Sequence, residues 1–172
     1  MALINKVLPG YVATLWCQTG ANPTALTDAE LSTWADVEAI IGTSAGGTGL
    51  GGEQVPVEAI PAFGSDDASA AYSAAGLRTG YKITTQNQVT SLTITSAWNP
   101  ADAAQLLIRD DGDSGSIIRT YVIAVYDGTD TVAYAFNGRV GGMQWDMSPS
   151  AEGKFTFTIH PVGGNSYGWS NS

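Results

Sequence analysis

Cysteine, histidine and positive charge are the scarce commodities of this 172-residue chain: one Cys, one His and seven Lys plus Arg. A single cysteine, Cys17, rules out an intrachain disulfide and a cysteine-rich zinc site. It stands beside Trp16 in an apolar stretch, where a thiol serves as a small buried hydrophobe rather than a nucleophile. That cysteine usage is compatible with a reducing compartment. One His and one Cys make no transition-metal site, and no metal or other cofactor is expected. Sixteen Asp plus Glu leave a net charge of −9, with no basic cluster. A DNA-reading protein needs a basic face to neutralise phosphate, so the charge argues against that class; an acidic surface faces DNA only to repel it. No segment approaches the ~18 apolar residues of a membrane span. Pro9 and Gly10 break the apolar N-terminal stretch, which argues against a signal peptide. No Gly-rich run is followed by Lys-Ser/Thr, so there is no phosphate loop.

What is present is small, apolar and loop-rich: 44% apolar residues, 13% charged and 21 glycines. The length suits one domain, residues 1–172. This composition favours short strands over a helical bundle. The most coherent stretch is Ala97–Phe136. There Asn99 is placed to cap a helix with Pro100 in its first turn and Asp102 near its positive end. Ala103, Leu106 and Leu107, widened by Ala104 and Ile108, form the apolar stripe, and Gly112 ends the helix. Strands Arg119–Tyr126 and Thr131–Phe136 follow, joined through Asp127–Asp130.

Elsewhere, Tyr11–Gln18 reads as a first strand. Thr27 and Glu30 have capping-box spacing, which puts a short helix at Asp28–Ala35, and Val37–Ile41 reads as a second strand. From Gly42 to Gly80 the pattern dissolves into a long loop, either a functional segment or a linker; its Pro56 and Pro61 allow at most an edge strand. Tyr81–Thr85 and Val89–Trp98 read as strands about a turn at Gln86–Gln88. Arg139–Asp146 is another strand. In Lys154–His160, Phe155, Phe157 and Ile159 alternate with polar residues. The C-terminal arm, residues 161–172, carries Tyr167 and Trp169, and is either a docking arm or a frayed end. Seven or eight strands and one firm helix point to an all-β fold with one flanking α-helix, a β-sandwich or partly closed barrel.

Three motifs suggest chemistry. Gly42-Thr43-Ser44-Ala45-Gly46 fits G-x-S-x-G and is similar to the elbow of patatin-like lipases, with Ser44 as nucleophile and an aspartate or His160 as base. The glycines that follow oppose the supporting helix, so the serine hydrolase stands only as an alternative. Gly112-Asp113-Ser114-Gly115 resembles the serine loop of trypsin-like proteases, but the only histidine comes after the serine. Asp110, Asp111 and Asp113, with Asp102, form an acidic group without the closing glutamate of a calcium loop, and read as a solvated surface. A β-sandwich binding module using exposed Trp or Tyr is the other alternative. The chain is not expected to be an enzyme.

The order of parts carries a resemblance. Thr14-Leu15-Trp16, Ala21-Asn22-Pro23, Trp34 to Val37, the long loop, a strand ending at Trp98, a helix from Pro100 to Asp110, the Tyr121–Tyr126/Val132–Phe136 hairpin, Gly138-Arg139-Val140 and the final Phe-x-Phe-x-Ile strand are together similar to the major tail tube proteins of long-tailed bacteriophages, of siphophage type. The resemblance implies a structural virion protein, assembled in the host cytoplasm into hexameric rings. Those rings stack around a tape measure protein into the tube that conducts DNA during ejection. Partners would be other copies of the chain, the tape measure and tail tip or terminator proteins; DNA would pass without specific binding. The long loop, residues 42–80, would reach the neighbouring ring. Contacts between rings or subunits are then expected at Glu53, Glu58, Asp66, Asp67, Arg78, Tyr167 and Trp169. Lumen-facing acids are expected at Asp127, Asp146 and Glu152.

Overall fold

Strand β6 (Arg119–Tyr126) is the strand around which the fold is laid, because six of its eight residues, Arg119 to Ala124, are buried and both its faces are covered. In the computed structural model, which describes residues 12–41, 51–72, 81–126, 130–148, 152–162 and 167–171, β6 sits between β1 (Val12–Gln18) and β7 (Thr131–Asp146). Outside β1 lies the short β2 (Gly52–Val55). Outside β7 lies β8 (Lys154–Pro161), followed by β5 (Leu92–Ala97). A short β9 (Tyr167–Asn171) runs beside the first half of β7, where β8 runs beside the second. All these pairings are antiparallel. β3 (Ser65–Tyr72) and β4 (Tyr81–Val89) pair only with each other, as a separate two-stranded hairpin.

The inner face of the large sheet carries Leu15, Tyr121, Ile123, Tyr134, Phe136, Phe155, Phe157 and Ile159, and curls so that Leu92 and Ile94 of β5 join the same core. Helix α2 (Ala103–Ser114) adds Ala104 and Ile108 to it. The outer face is covered over one half only. There Leu26, Leu31, Val37 and Ile40 pack on Val122, Ala133 and Ala135. These four come from a 3₁₀ turn at Glu30–Ser32, helix α1 (Trp34–Glu38) and their flanks. The sheet edges approach at one place, where the Glu58 N–H donates to Thr95 O at 3.1 Å and the Ser96 hydroxyl donates to Pro56 O. These are single bonds rather than a ladder, and the sheet is not closed.

The all-β architecture with a flanking helix is present, with several local differences. The expected strand Val37–Ile41 is the end of α1 and the turn after it. Glu30 does reach back to Thr27, accepting from its N–H at 2.7 Å and its hydroxyl at 2.8 Å, and these bonds hold the Glu30 carboxyl below its usual pKa. Helix α2 is capped by Asp102, whose carboxylate accepts from Gln105 N at 2.9 Å; Asn99 instead accepts from Ala101 N in the turn before it. The helix runs through Gly112 and ends at Gly115, whose φ of 64° is the left-handed conformation that favours glycine. Its buried face is Ala104, Gln105, Ile108 and Asp111, while Ala103 is exposed and Leu106 and Leu107 are half-buried. The expected turn at Gln86–Gln88 lies inside β4. Thr131–Phe136 and Arg139–Asp146 fuse into one strand, with a bulge between Gly141 and Gln144. The expected loop 42–80 contains β2 and β3; residues 42–50 and 73–80 lie outside the described residues. Within the C-terminal arm, β9 is a sheet strand, seated so closely on the 3₁₀ turn that a Cβ at Gly168 would lie 2.4 Å from Leu31 O.

Candidate assembly surfaces

Three buried polar clusters hold the edges of the fold in place, and none has the geometry of a catalytic site. Arg119 donates through Nε and Nη2 to the two carboxylate oxygens of Asp111, at 2.6 and 2.7 Å, and through Nη1 to Gly20 O at 2.9 Å and to Gln18 O. Both side chains are buried. This ties the end of α2 and the end of β1 to β6. Asp111 is therefore not part of a solvated acidic surface, although Asp110, paired with Arg109, and Asp113 are exposed. The second cluster centres on the buried Gln105. Its Nε2 donates to Ser96 Oγ and Ala97 O, both at 2.7 Å, and its Oε1 accepts from Asn99 N at 2.8 Å. Thr120 and Asn137 perform a similar service for the loop before the 3₁₀ turn, bonding Leu26 N and Leu26 O at 2.9 and 2.7 Å.

The residues expected to carry hydrolase chemistry either have other partners or lie outside the described residues. Ser44 lies outside the described residues, and the described element before it is a helix rather than the strand a nucleophile elbow requires. Ser114 bonds Ser116 at 2.9 Å on the surface. His160 bonds Ser91 through Nδ1 at 3.1 Å, on the exposed face of β8. Cys17 is fully buried; burial pushes its thiol up to about 12 despite the opposing pull of Arg119. Burial likewise raises the Tyr121 phenol well above its ordinary value. Among the described residues no group of three His, Cys, Asp or Glu could hold a metal ion, and no helix is long and apolar enough to cross a membrane.

The surfaces suited to docking are edges and exposed rings. The β3–β4 hairpin leaves the sheet at Ser65 and Val89, which pair across its base beside the bond from Thr90 N to Gly64 O at 3.0 Å. Among the described residues, β7 from 139 to 146 has ladder partners only on β8, and β2 only on β1. Open sheet edges present unpaired backbone groups to another chain. Among the described residues four large apolar side chains are exposed: Tyr126, Trp145, Met147 and Trp169. Trp145 stacks on Phe155 at 5.0 Å, edge-on to Trp98 at 6.1 Å. Trp169 lies against Tyr134 and Phe63 at 4.9 and 6.1 Å and stays 53% exposed. Sequence reasoning missed Trp145 and Met147 as surface residues; the signal available was their position at the far end of β7, beyond the bulge.

The expected contact residues fall in several places. Glu53 is exposed on β2. Asp66 and Asp67 are on β3, in register with Gln88 and Asn87. Tyr167 is on β9, opposite Phe136. Glu58, Asp146 and Glu152, expected in two different roles, converge on Lys154. Glu58 pairs with the Lys154 ammonium at 2.9 Å, and its hydrogen bond and charge, supported by Glu152 and Asp146, raise the Lys154 pKa. Arg78 and Asp127 lie outside the described residues.

The overall course of the chain has counterparts among solved structures. It superposes on a chain from the sheath/tube terminator of an extracellular contractile injection system, PVC, in the extended state, with a TM-score of 0.61, 10% identity and 99% of both chains covered. A chain of the anti-feeding prophage baseplate gives 0.59, 7% identity, and 100% of this chain against 97% of that one. The SPP1 tail tube gives 0.55, 9% identity and 93% against 77%. The chain has the tail-tube-type fold. At such identities the likeness is one of fold alone. No family model and no curated protein sequence matches the chain.

Proposed function

We propose that this tail-tube-type protein is a structural subunit of a phage tail. Copies form hexameric rings, and the rings stack into the tube that conducts DNA at ejection. The observation that carries this reading is the superposition over at least 93% of the chain on three components of tail-like assemblies. The edges of β2 and of β7 from 139 to 146, which have no second ladder partner among the described residues, suit lateral joining of subunits. The β3–β4 hairpin, whose strands among the described residues pair only with each other, suits contact with the next ring. Of the expected contact residues, Glu53, Asp66 and Asp67 belong to these two regions, and Trp169 supplies an aromatic anchor beside them. Partners besides the chain itself are a tape measure protein and tip or terminator proteins. Assembly takes place in the host cytoplasm and the finished subunit resides in the virion tail.

A second reading has one observation in its favour. The similarity to the sheath/tube terminator covers 99% of both chains, whereas only 77% of the SPP1 tail tube chain is matched. A terminator would form one ring and stop. Sedimentation across a concentration series separates these cases. The tube subunit is expected to leave the 17.8 kDa monomer for a hexamer and then for much larger species as concentration rises. A terminator stops at the hexamer. A monomer at every concentration contradicts both.

A further inference from the structure

The outer face of the sheet divides into two halves of opposite chemistry. Where residues 26–41 cover it, the sheet offers Val122, Ala133 and Ala135. Where no helix covers it, across β5, β8 and the second half of β7, with residues 58–61 along its β5 margin, the side chains stand in four registered rows. The first is Ser91, His160 and Arg139; the second Thr93, Thr158 and Gly141; the third Thr95, Thr156 and Gln144; the fourth Ala97, Lys154 and Asp146. Charge is confined to the first and last rows. The two middle rows carry hydroxyls, an amide and a glycine.

The middle rows are also fixed in place. Thr93 bonds Thr158 at 3.0 Å and Thr95 bonds Thr156 at 3.1 Å, hydroxyl to hydroxyl, so these short side chains lie flat along the sheet. The core of a stable protein interface is depleted in polar residues and rich in apolar and aromatic ones. This face has no large apolar side chain, so it is unsuited to a dry contact with another subunit. Its nearest aromatic residues, Trp98 and Trp145, lie on the Phe155 side of the sheet. A polyanion is held in place by cations that neutralise its phosphates. The middle rows contain no cation, and Lys154 in the fourth row is already paired with Glu58.

We propose that this face of hydroxyls is the wet wall of the tube's channel, past which hydrated duplex DNA moves. The assignment rests on the tube reading and adds to it the identity and chemistry of the lumenal surface. The wall is neutral rather than acidic. Asp146 stands in the fourth row and Glu152 just before β8, so the charge repulsion expected of the lumen is confined to that one rim of the band, and the opposite rim carries Arg139 and His160.

The test uses Thr93→Cys and Gln144→Cys, two exposed positions on different strands, in the full-length protein. The buried native Cys17 supplies the background. Both new thiols should react with a small biotin maleimide and with a bulky polyethylene-glycol maleimide in the monomer. In assembled tubes, reaction with the small reagent should persist and reaction with the bulky one should fall to the background of the native protein. Undiminished labelling by the bulky reagent in tubes would place the face on the outside and overturn the assignment. Loss of both reactions would place it in a subunit contact and overturn the assignment equally. Absence of any tube at any concentration removes the tube reading, and this assignment with it.

Discussion

Replacing Asp111 with alanine should destabilise the protein by about 3–5 kcal/mol, because it leaves a buried guanidinium without its counter-ion. Arg119 is 0% exposed, and two of its hydrogen bonds end on that one carboxylate. For a chain of this length the loss should lower Tm by roughly 10 °C. The double variant Asp111→Leu with Arg119→Met should recover most of it, since the expensive feature is the unpaired buried charge rather than the missing pair. Calorimetry of the three proteins checks this. A loss below about 1 kcal/mol in the single variant is the figure for a surface ion pair and would contradict the buried clamp.

Removing the hairpin should have the opposite profile, with little effect on folding and a complete loss of tube growth. Ser65 and Val89 are cross-strand partners, so a short Gly-Ser turn can replace residues 66–88 without pulling on the large sheet. Among the described residues the excised strands pair only with each other, so no ladder of the large sheet is broken. Tm should stay near the native value, and the shortened chain should stop at monomers or single rings. These boundaries replace those suggested by the sequence. Cutting at Gly42 and Gly80 would remove β2, including the buried Val55, and one strand of the hairpin while leaving the other. Tubes of normal length from the shortened protein would show that stacking lies elsewhere.

The sequence is most legible where burial writes a pattern. Strand β6 is apolar on both faces because both are covered, and β8 alternates because only its inner face is. Five residues at Val37–Ile41 do not decide between strand and helix, since Val37, Ile40 and Ile41 are also spaced for one helical face. The hairpin is half legible: Tyr81–Thr85 reads as a strand and lies in β4, whereas SDDASAAY of β3 has no apolar alternation to read. Asp111 looks like its neighbours Asp110 and Asp113, and only its phase distinguishes it. It lies seven residues after Ala104 and three after Ile108, on the buried face of α2, and its partner is eight residues further along the chain. The candidate surfaces are partly legible. Trp169 stands out as an aromatic that an ordinary solvated tail does not need. Open edges, by contrast, depend on which strands pair, and pairing follows from the whole chain rather than from any window.

Electron microscopy of the concentrated full-length protein tests the central claim most directly. The account predicts hollow tubes that show sixfold symmetry in end view and repeat along their length with the height of one subunit. Discrete particles of one subunit at every concentration, without rings or tubes, would contradict it.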